Sequence, residues 1–257
     1  MTTTRRQFLA TAAATGTITL LPFSASADGH AFSTPAGDVK IHPMSHASFI
    51  METPEGVIYV DTVGSSESYA DKPAPDLILI THRHGDHYNA DTLALIGGSA
   101  PIITCPDVLG LMPDALKART TTLSNGESTE WSGMAIDAIP AHNLSEAKQK
   151  FHPKGRDNGY VLGLEGFRVY ISGDSEDVPE MRALKDIDLA FICMNLPFTM
   201  TAESAASAVA EFKPKFVYPY HYRGKDGGTQ DPKAFAAMVG DAAEVKLVDW
   251  YPENPDL

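Results

Sequence analysis

The apolar stretch Leu77–Ile80 runs straight into Thr81-His82-Arg83-His84-Gly85-Asp86-His87, which holds three imidazoles and a carboxylate within seven residues. That junction limits what the chain can become. Four consecutive aliphatic residues describe a strand buried on both faces, so the ligand-type side chains leave the end of an interior strand and not the face of a helix. Residues two apart on an extended chain project to the same side, which lets His82 and His84 reach one ion. The turn at Gly85 then swings Asp86 and His87 toward a second. A zinc-protease helix, by contrast, presents its histidines four apart. Imidazoles beside a carboxylate at this spacing hold divalent transition ions.

Elsewhere strand and helix patterns alternate. Residues 39–42, 47–52 and 57–61 read as strands, the last two joined as a hairpin about Pro54-Glu55-Gly56. Helical spacing over 89–96 closes at Gly97-Gly98, and 102–105 is another buried strand. Short β segments return between 120 and 140 across the turn Ser124-Asn125-Gly126. The second half repeats the scheme: a hairpin of 159–164 with 167–171, a helix over 178–184, a strand over 189–194 and a helix from the N-cap Thr201 to Phe212. The strand Phe216–Tyr220 then leads into His221, and a helix over 232–239 precedes a strand over 244–248. The pattern predicts an α/β (α+β) fold of two packed sheets flanked by helices. His142, Asp174 and His221 stand where strands run out. Each alone reads as a capped or solvated loop residue, but two ions on one short loop need further ligands.

The first residues carry a separate signal. Arg5-Arg6, an Ala- and Thr-rich apolar stretch to Leu21 and then Ala25-Ser26-Ala27 form the order of a twin-arginine export signal, with cleavage expected after Ala27. The chain then divides into a signal peptide, 1–27, and a catalytic domain, 28–257, destined for the periplasm through the twin-arginine machinery. The apolar stretch is too short, and too poor in large side chains, to cross about 30 Å of hydrocarbon, so no stable membrane insertion of the mature chain is expected. Lys and Arg number 20 against 33 Asp and Glu, a net charge of −13. Such a surface repels nucleic acid and anionic lipid. Cys105 and Cys193 each sit in an apolar run and read as small buried residues, not as a disulfide.

From about residue 39 to 248 the chain resembles the metallo-β-lactamase superfamily. The features that carry the resemblance occur in order: Asp61 after a hairpin, the Thr-His-x-His-x-Asp-His run at 81–87, His142, Asp174 within Ser172-Gly173-Asp174-Ser175, and His221. The resemblance implies an αββα sandwich with the site at one edge. It assigns His82, His84 and His142 to a first metal, Asp86, His87 and His221 to a second, and Asp174 to both. Asp61 would orient a ligand through a hydrogen bond, or else simply cap its strand. Two divalent metal ions are implied, zinc above all, with manganese or iron also suited to these donors.

The expected function is hydrolysis of an ester, lactone or phosphodiester bond in a small-molecule substrate by a metal-bridging hydroxide, with Asp86 steering the attacking water. His46 is the candidate substrate-facing acid. Tyr220 and Tyr222 would line the pocket or donate protons, while His30, His42 and His152 read as surface residues. The cluster Lys148, Lys150, Lys154 and Arg156 could form a lid that attracts an anionic substrate, or a solvated loop. Segments 45–49, 194–201 and 218–222 resemble the lactonase- and phosphodiesterase-like branch. Alternatives are a noncatalytic metal- or ligand-binding protein on the same fold and a β-lactam hydrolase. The aspartate at 174, where zinc β-lactamases usually carry cysteine or serine, weighs against the latter. Redox chemistry at a di-iron site is disfavoured by His84, where flavodiiron proteins carry glutamate.

Overall fold

The computed structural model describes residues 30–251; the export signal expected over 1–27 lies outside them. Two seven-stranded sheets follow one another along the chain. The first contains β1 (Ala31–Thr34), β2 (Gly37–Ser45), β3 (Ser48–Thr53), β4 (Gly56–Val60), β5 (Leu77–Ile80), β6 (Ile102–Thr104) and β7 (Thr120–Thr122) in that spatial order. Pairing is antiparallel from β1 to β4 and parallel from β4 to β7. The second contains β8 (Ser128–Trp131), β9 (Met134–Ala141), β10 (Asp157–Leu164), β11 (Phe167–Ile171), β12 (Leu189–Cys193), β13 (Phe216–Tyr220) and β14 (Glu244–Val245). It repeats the scheme, antiparallel from β8 to β11 and parallel from β11 to β14. The covalent link between the sheets is the short connection 123–127.

Side-chain alternation explains the unbroken apolar strands. Leu77 and Leu79 of β5 face the core between the sheets. Ile78 and Ile80 face outward into a second core with Leu93, Val108 and Leu116, which lie on α1 (Ala90–Ile96), α2 (Pro106–Leu111) and α3 (Asp114–Lys117). On the other side, α4 (Pro179–Arg182), α5 (Ala202–Phe212) and α6 (Pro232–Val239) contribute Met181, Ala205 and Phe235 to the large core of the second sheet. The layers are therefore helix, sheet, sheet, helix, as the resemblance implies. Where the sheets meet, Phe49 stacks on Phe191 with ring centres 4.2 Å apart, and Phe191 stacks on Tyr218 at 5.2 Å. Fully burying each such ring contributes roughly 2–3 kcal/mol.

Several local expectations hold. Asn89 caps α1 by accepting the Thr92 N–H at 2.9 Å, and Thr201 caps α5 by accepting the Ser204 N–H at 3.2 Å. Others need correction. The helix expected over 178–184 shortens to α4, one turn begun by Pro179 at its first position. The strand expected over 244–248 pairs only at Glu244 and Val245. The helices α2 and α3 were not evident in the sequence; Pro113 holds Met112 extended and so separates them. Cys105 and Cys193 are both buried free thiols, and burial pushes them up to about 11 and about 12.

Both parallel halves point their strand ends to one edge, the place where open α/β sheets bind ligands. Asp61 and Thr81 follow β4 and β5, while Asp174, Asn195 and His221 lie beyond β11, β12 and β13. His46 occupies the turn between β2 and β3.

Candidate metal centre

Asp61 is fully buried at the root of the histidine loop. Its Oδ1 accepts the Thr81 N–H at 2.7 Å and its Oδ2 accepts the Thr81 hydroxyl at 2.8 Å. The same Oδ2 lies 2.8 Å from His87 Nδ1, so the imidazole donates there and turns its Nε2 lone pair toward the site. Asp61 thus orients a candidate ligand as well as closing its strand. The turn that follows is fixed by the His87 and Tyr88 N–H groups, which donate to the His84 carbonyl at 2.9 and 2.8 Å. It brings His82 Nε2 to 2.9 Å from His84 Nδ1. Gly173 packs against this root. Its φ is +58°, and a Cβ there would stand 2.8 Å from the Asn158 carbonyl oxygen and 3.1 Å from Thr81 Cβ.

The third member of the first cluster is His152, not His142. His152 was expected at the surface, yet it is 0 % exposed. Its ring centre lies 5.1 Å from that of His82 and 5.0 Å from that of His84. The cause is local. His142 spends its backbone N–H on Ser175 Oγ at 3.1 Å and keeps Nδ1 3.0 Å from the Asn143 carbonyl. The chain then loops out and is drawn back by Asn143, whose Oδ1 meets the His152 N–H at 3.1 Å and the His152 Nδ1 at 3.2 Å. That contact leaves His152 Nε2 for the site. His142 is buried but belongs to none of the candidate metal groups among the described residues.

A second cluster joins Asp86 and His221 with His46. Asp86 Oδ2 is 3.3 Å from His46 Nε2 and 3.4 Å from His221 Nε2. His221 Nε2 is 3.1 Å from His87 Nε2, and its Nδ1 is held 2.7 Å from the Asn195 amide. Asp174 lies between the clusters. Its Oδ1 is 3.4 Å from His87 Nε2 and 3.3 Å from His221 Nε2, while its Oδ2 is 3.4 Å from His152 Nε2. Three residues of the site hold left-handed backbone, His46 at φ 56°, Asp61 at 46° and His221 at 47°. Such conformations cost of order 1–3 kcal/mol each and concentrate at functional sites.

The donor set fits a metal. His82, His84 and His152 offer nitrogens within 4.8 Å of one another; His46 and His221 with a carboxylate oxygen of Asp86, and His82 and His87 with one of Asp174, do the same. His152 Nε2 and Asp174 Oδ1, and likewise His142 Nε2, are buried with no hydrogen-bond partner within the protein, an arrangement that is costly unless another group satisfies them. The profile of the Beta-lactamase superfamily domain (Lactamase_B_3) matches residues 40–221. A UPF0173 metal-dependent hydrolase of Thermococcus onnurineus is 33% identical over 218 residues, covering 82% of this chain and 96% of that protein. The chain belongs to the UPF0173 metal-dependent hydrolases of the metallo-β-lactamase superfamily. A crystal structure from Parabacteroides distasonis, described as a candidate metal-dependent hydrolase, is similar at a TM-score of 0.74 and 36% identity, covering 85% of this chain and 98% of that one. Igni18, a metallo hydrolase of Ignicoccus hospitalis, shares the fold at a TM-score of 0.68 and 23% identity, over 82% of this chain and 95% of its own.

In this UPF0173 hydrolase the charges of the site sort by neighbour. Burial holds His82 well below the ordinary imidazole range and pushes His84 down to about 4, so both are neutral donors. Burial opposes protonation of His87 and His221 too. There it is outweighed, by Asp174 and Asp61 for His87 and by Asp174 and Asp86 for His221, and both are raised. Burial would lift the carboxyls of Asp86 and Asp174, but the surrounding imidazoles hold both well below the usual carboxylate range.

The clusters open on a cleft of about 750 Å³ lined by residues including His46, Asp86, Phe151, Phe198 and Tyr251. The two tyrosines singled out from the sequence do not line it. Tyr220 is buried with its hydroxyl unpartnered, and Tyr222 packs on the Tyr251 ring at 5.0 Å. Tyr251 was missed because it lies thirty residues beyond the last motif. Its hydroxyl is 2.9 Å from His46 Nδ1, and the neighbouring Trp250 carbonyl accepts the His46 N–H at 3.1 Å.

Proposed function

We propose that this metal-dependent hydrolase uses two divalent ions to cleave an ester, lactone or phosphodiester bond, and that it does so after export to the periplasm. Asp174 carries the two-ion reading, because one oxygen faces His87 and His221 while the other faces His152. His82, His84 and His152 would hold one ion and Asp86, His87 and His221 the other, with Asp174 shared. Nitrogen and oxygen donors of this kind suit zinc, and manganese or iron as well. When bound, such ions supply Lewis acidity and bring the pKa of water from about 16 toward 7.

The protein's own groups do the rest. Asp86 is the exposed member of the set, with 46% of its side chain open to the cleft. Its Oδ2 is committed to His46 and His221, which leaves the other oxygen to accept a hydrogen bond from the attacking water and steer it. His46 serves the leaving group. The Tyr251 oxygen accepts the Arg223 N–H at 3.2 Å, and its own hydrogen can reach His46 Nδ1 at 2.9 Å. With Tyr251 donating to Nδ1, the imidazole hydrogen sits on Nε2, 3.3 Å from Asp86 and facing the cleft; burial and the His221 imidazole hold His46 below the ordinary imidazole range, so it serves as a neutral hydrogen-bond donor to the leaving atom. In this tautomer His46 offers a hydrogen to the cleft; the other tautomer would turn its Nε2 lone pair toward Asp86 and His221, with which it forms a candidate metal group. Export is supported by the Arg5-Arg6 segment and the Ala25-Ser26-Ala27 pattern.

The test is elemental analysis of protein exported by its own route, followed by a panel of lactones, phosphodiesters and β-lactams. Two equivalents of metal and turnover of a lactone or phosphodiester are expected. One equivalent, or turnover confined to β-lactams, would overturn the reading.

A further inference from the structure

Of the basic residues that suggested an anion-attracting lid, two are committed elsewhere. Lys148 Nζ donates to Glu176 Oε1 at 2.6 Å and to the Thr199 carbonyl at 2.9 Å. Arg156 donates to Asp157 at 2.7 and 2.8 Å and to the Phe151 carbonyl at 2.8 Å. Lys154 borders a separate depression beside Pro106. The cations that line the cleft are instead Arg223 and Lys225, directly after His221.

We propose that the cleft selects an organic anion, whose carboxylate or phosphate is received by Lys225 and Arg223 while Phe151 and Phe198 flank its apolar part. Placing the scissile bond over Asp86 and His221 rests on the hydrolase reading above; the anion site does not.

Four observations carry this. Arg223 stacks on Tyr251, its guanidinium carbon 3.8 Å from the ring centre, so its charge is held at the wall. Lys225 Nζ lies 5.6 Å from the Phe198 ring centre and forms no ion pair among the described residues, although the surface as a whole is acidic. The loop bearing both is built rather than loose. The Lys225 N–H donates to the Leu196 carbonyl at 3.0 Å, the Leu196 N–H to the Gly228 carbonyl at 3.0 Å, and the Gln230 N–H to the Tyr222 carbonyl at 2.9 Å. A Cβ at Gly224 or Gly228 would fall 2.2 or 2.1 Å from the Leu196 carbonyl oxygen, so only glycine allows this approach. Finally, Phe151 and Phe198 meet edge to face at 5.1 Å, forming an apolar wall next to Lys225. The carboxylates that share the cleft, Asp86 and Asp174, are each held by imidazoles, so neither is committed to Lys225.

The test is calorimetric titration of the metal-loaded full chain with 3-phenylpropionate, benzylphosphonate and the uncharged 3-phenylpropanamide, on wild type, Lys225→Gln and Arg223→Gln. Lys225 is no metal ligand, so its substitution separates the rim from the ions. The expected result is that wild type prefers one or both anions to the amide, and that Lys225→Gln lowers that preference about tenfold, with Arg223→Gln acting in the same direction. The anion that loses more identifies carboxylate or phosphate as the group received. An unchanged preference in Lys225→Gln, or no preference in wild type, would overturn the proposal. Absence of turnover in the hydrolysis panel, with the preference intact, would remove the hydrolase mechanism and leave the anion site standing.

Discussion

Four of the five candidate histidine ligands are positioned by a neighbour at Nδ1 or by each other's rings: His87 by Asp61, His152 by Asn143, His221 by Asn195 and His82 by Thr81 at 3.0 Å. This defines residue-scale outcomes. His152→Ala should lose about half of the bound metal while His142→Ala keeps its full complement, as read by elemental analysis; the reverse would restore His142 to the ligand set. Asp86→Asn should retain much of its metal and lose turnover by about a hundredfold or more, and a variant of undiminished activity would remove Asp86 from the chemistry. The pH dependence of metal uptake has a definite sign. His87 and His221 keep their protons above the ordinary imidazole range in the metal-free chain, and an ion must displace them. Affinity in a chelator competition should therefore go on rising with pH beyond the value of about 6.5 at which a free imidazole would level off. The candidate ligands of 81–87, Asp174 and His221 could be picked out in the sequence because each sits beside its strand end. His152 could not, since the bond from Asn143 that folds it inward spans nine residues of irregular loop.

The elements show why the sequence was clear in some places and silent in others. Strands apolar on both faces, such as β5 and β12, and helices with a polar cap, such as α1 and α5, announce themselves through local pattern. The helices α2, α3 and α4 are six residues or fewer, too short for periodicity to be informative, and they exist because proline and packing fix them. Thr201→Ala should cost about 1 kcal/mol of stability through loss of the α5 cap, measured by urea unfolding. The segment after β14 matters more than its irregularity suggests, because Tyr251 orients His46 across 205 positions of chain. Tyr251→Phe should lower kcat at unchanged metal content and shift its pH profile, since His46 Nδ1 loses its donor. A loss of metal would instead make His46 a ligand.

At the scale of the molecule, the repeated scheme of hairpins followed by parallel strands was visible in outline in the sequence, and the layered sandwich followed from it. The cleft was not, because its walls come from loops whose placement depends on distant partners such as Leu196 and Gly228. Ions bound only by the folded chain stabilise it by mass action. Chelation should lower the melting temperature and readdition of metal should restore it; a chelator-insensitive melt would argue against the centre.

The proposed ligands are drawn from both sheets: His82, His84, Asp86 and His87 follow the first, and His152, Asp174 and His221 belong to the second. Backbone joins the two sheets once, through 123–127, so each ion would act as a crosslink between the duplicated halves. A chain nicked in that connection should remain a single particle while loaded, and its two fragments should part more readily once the metal is stripped.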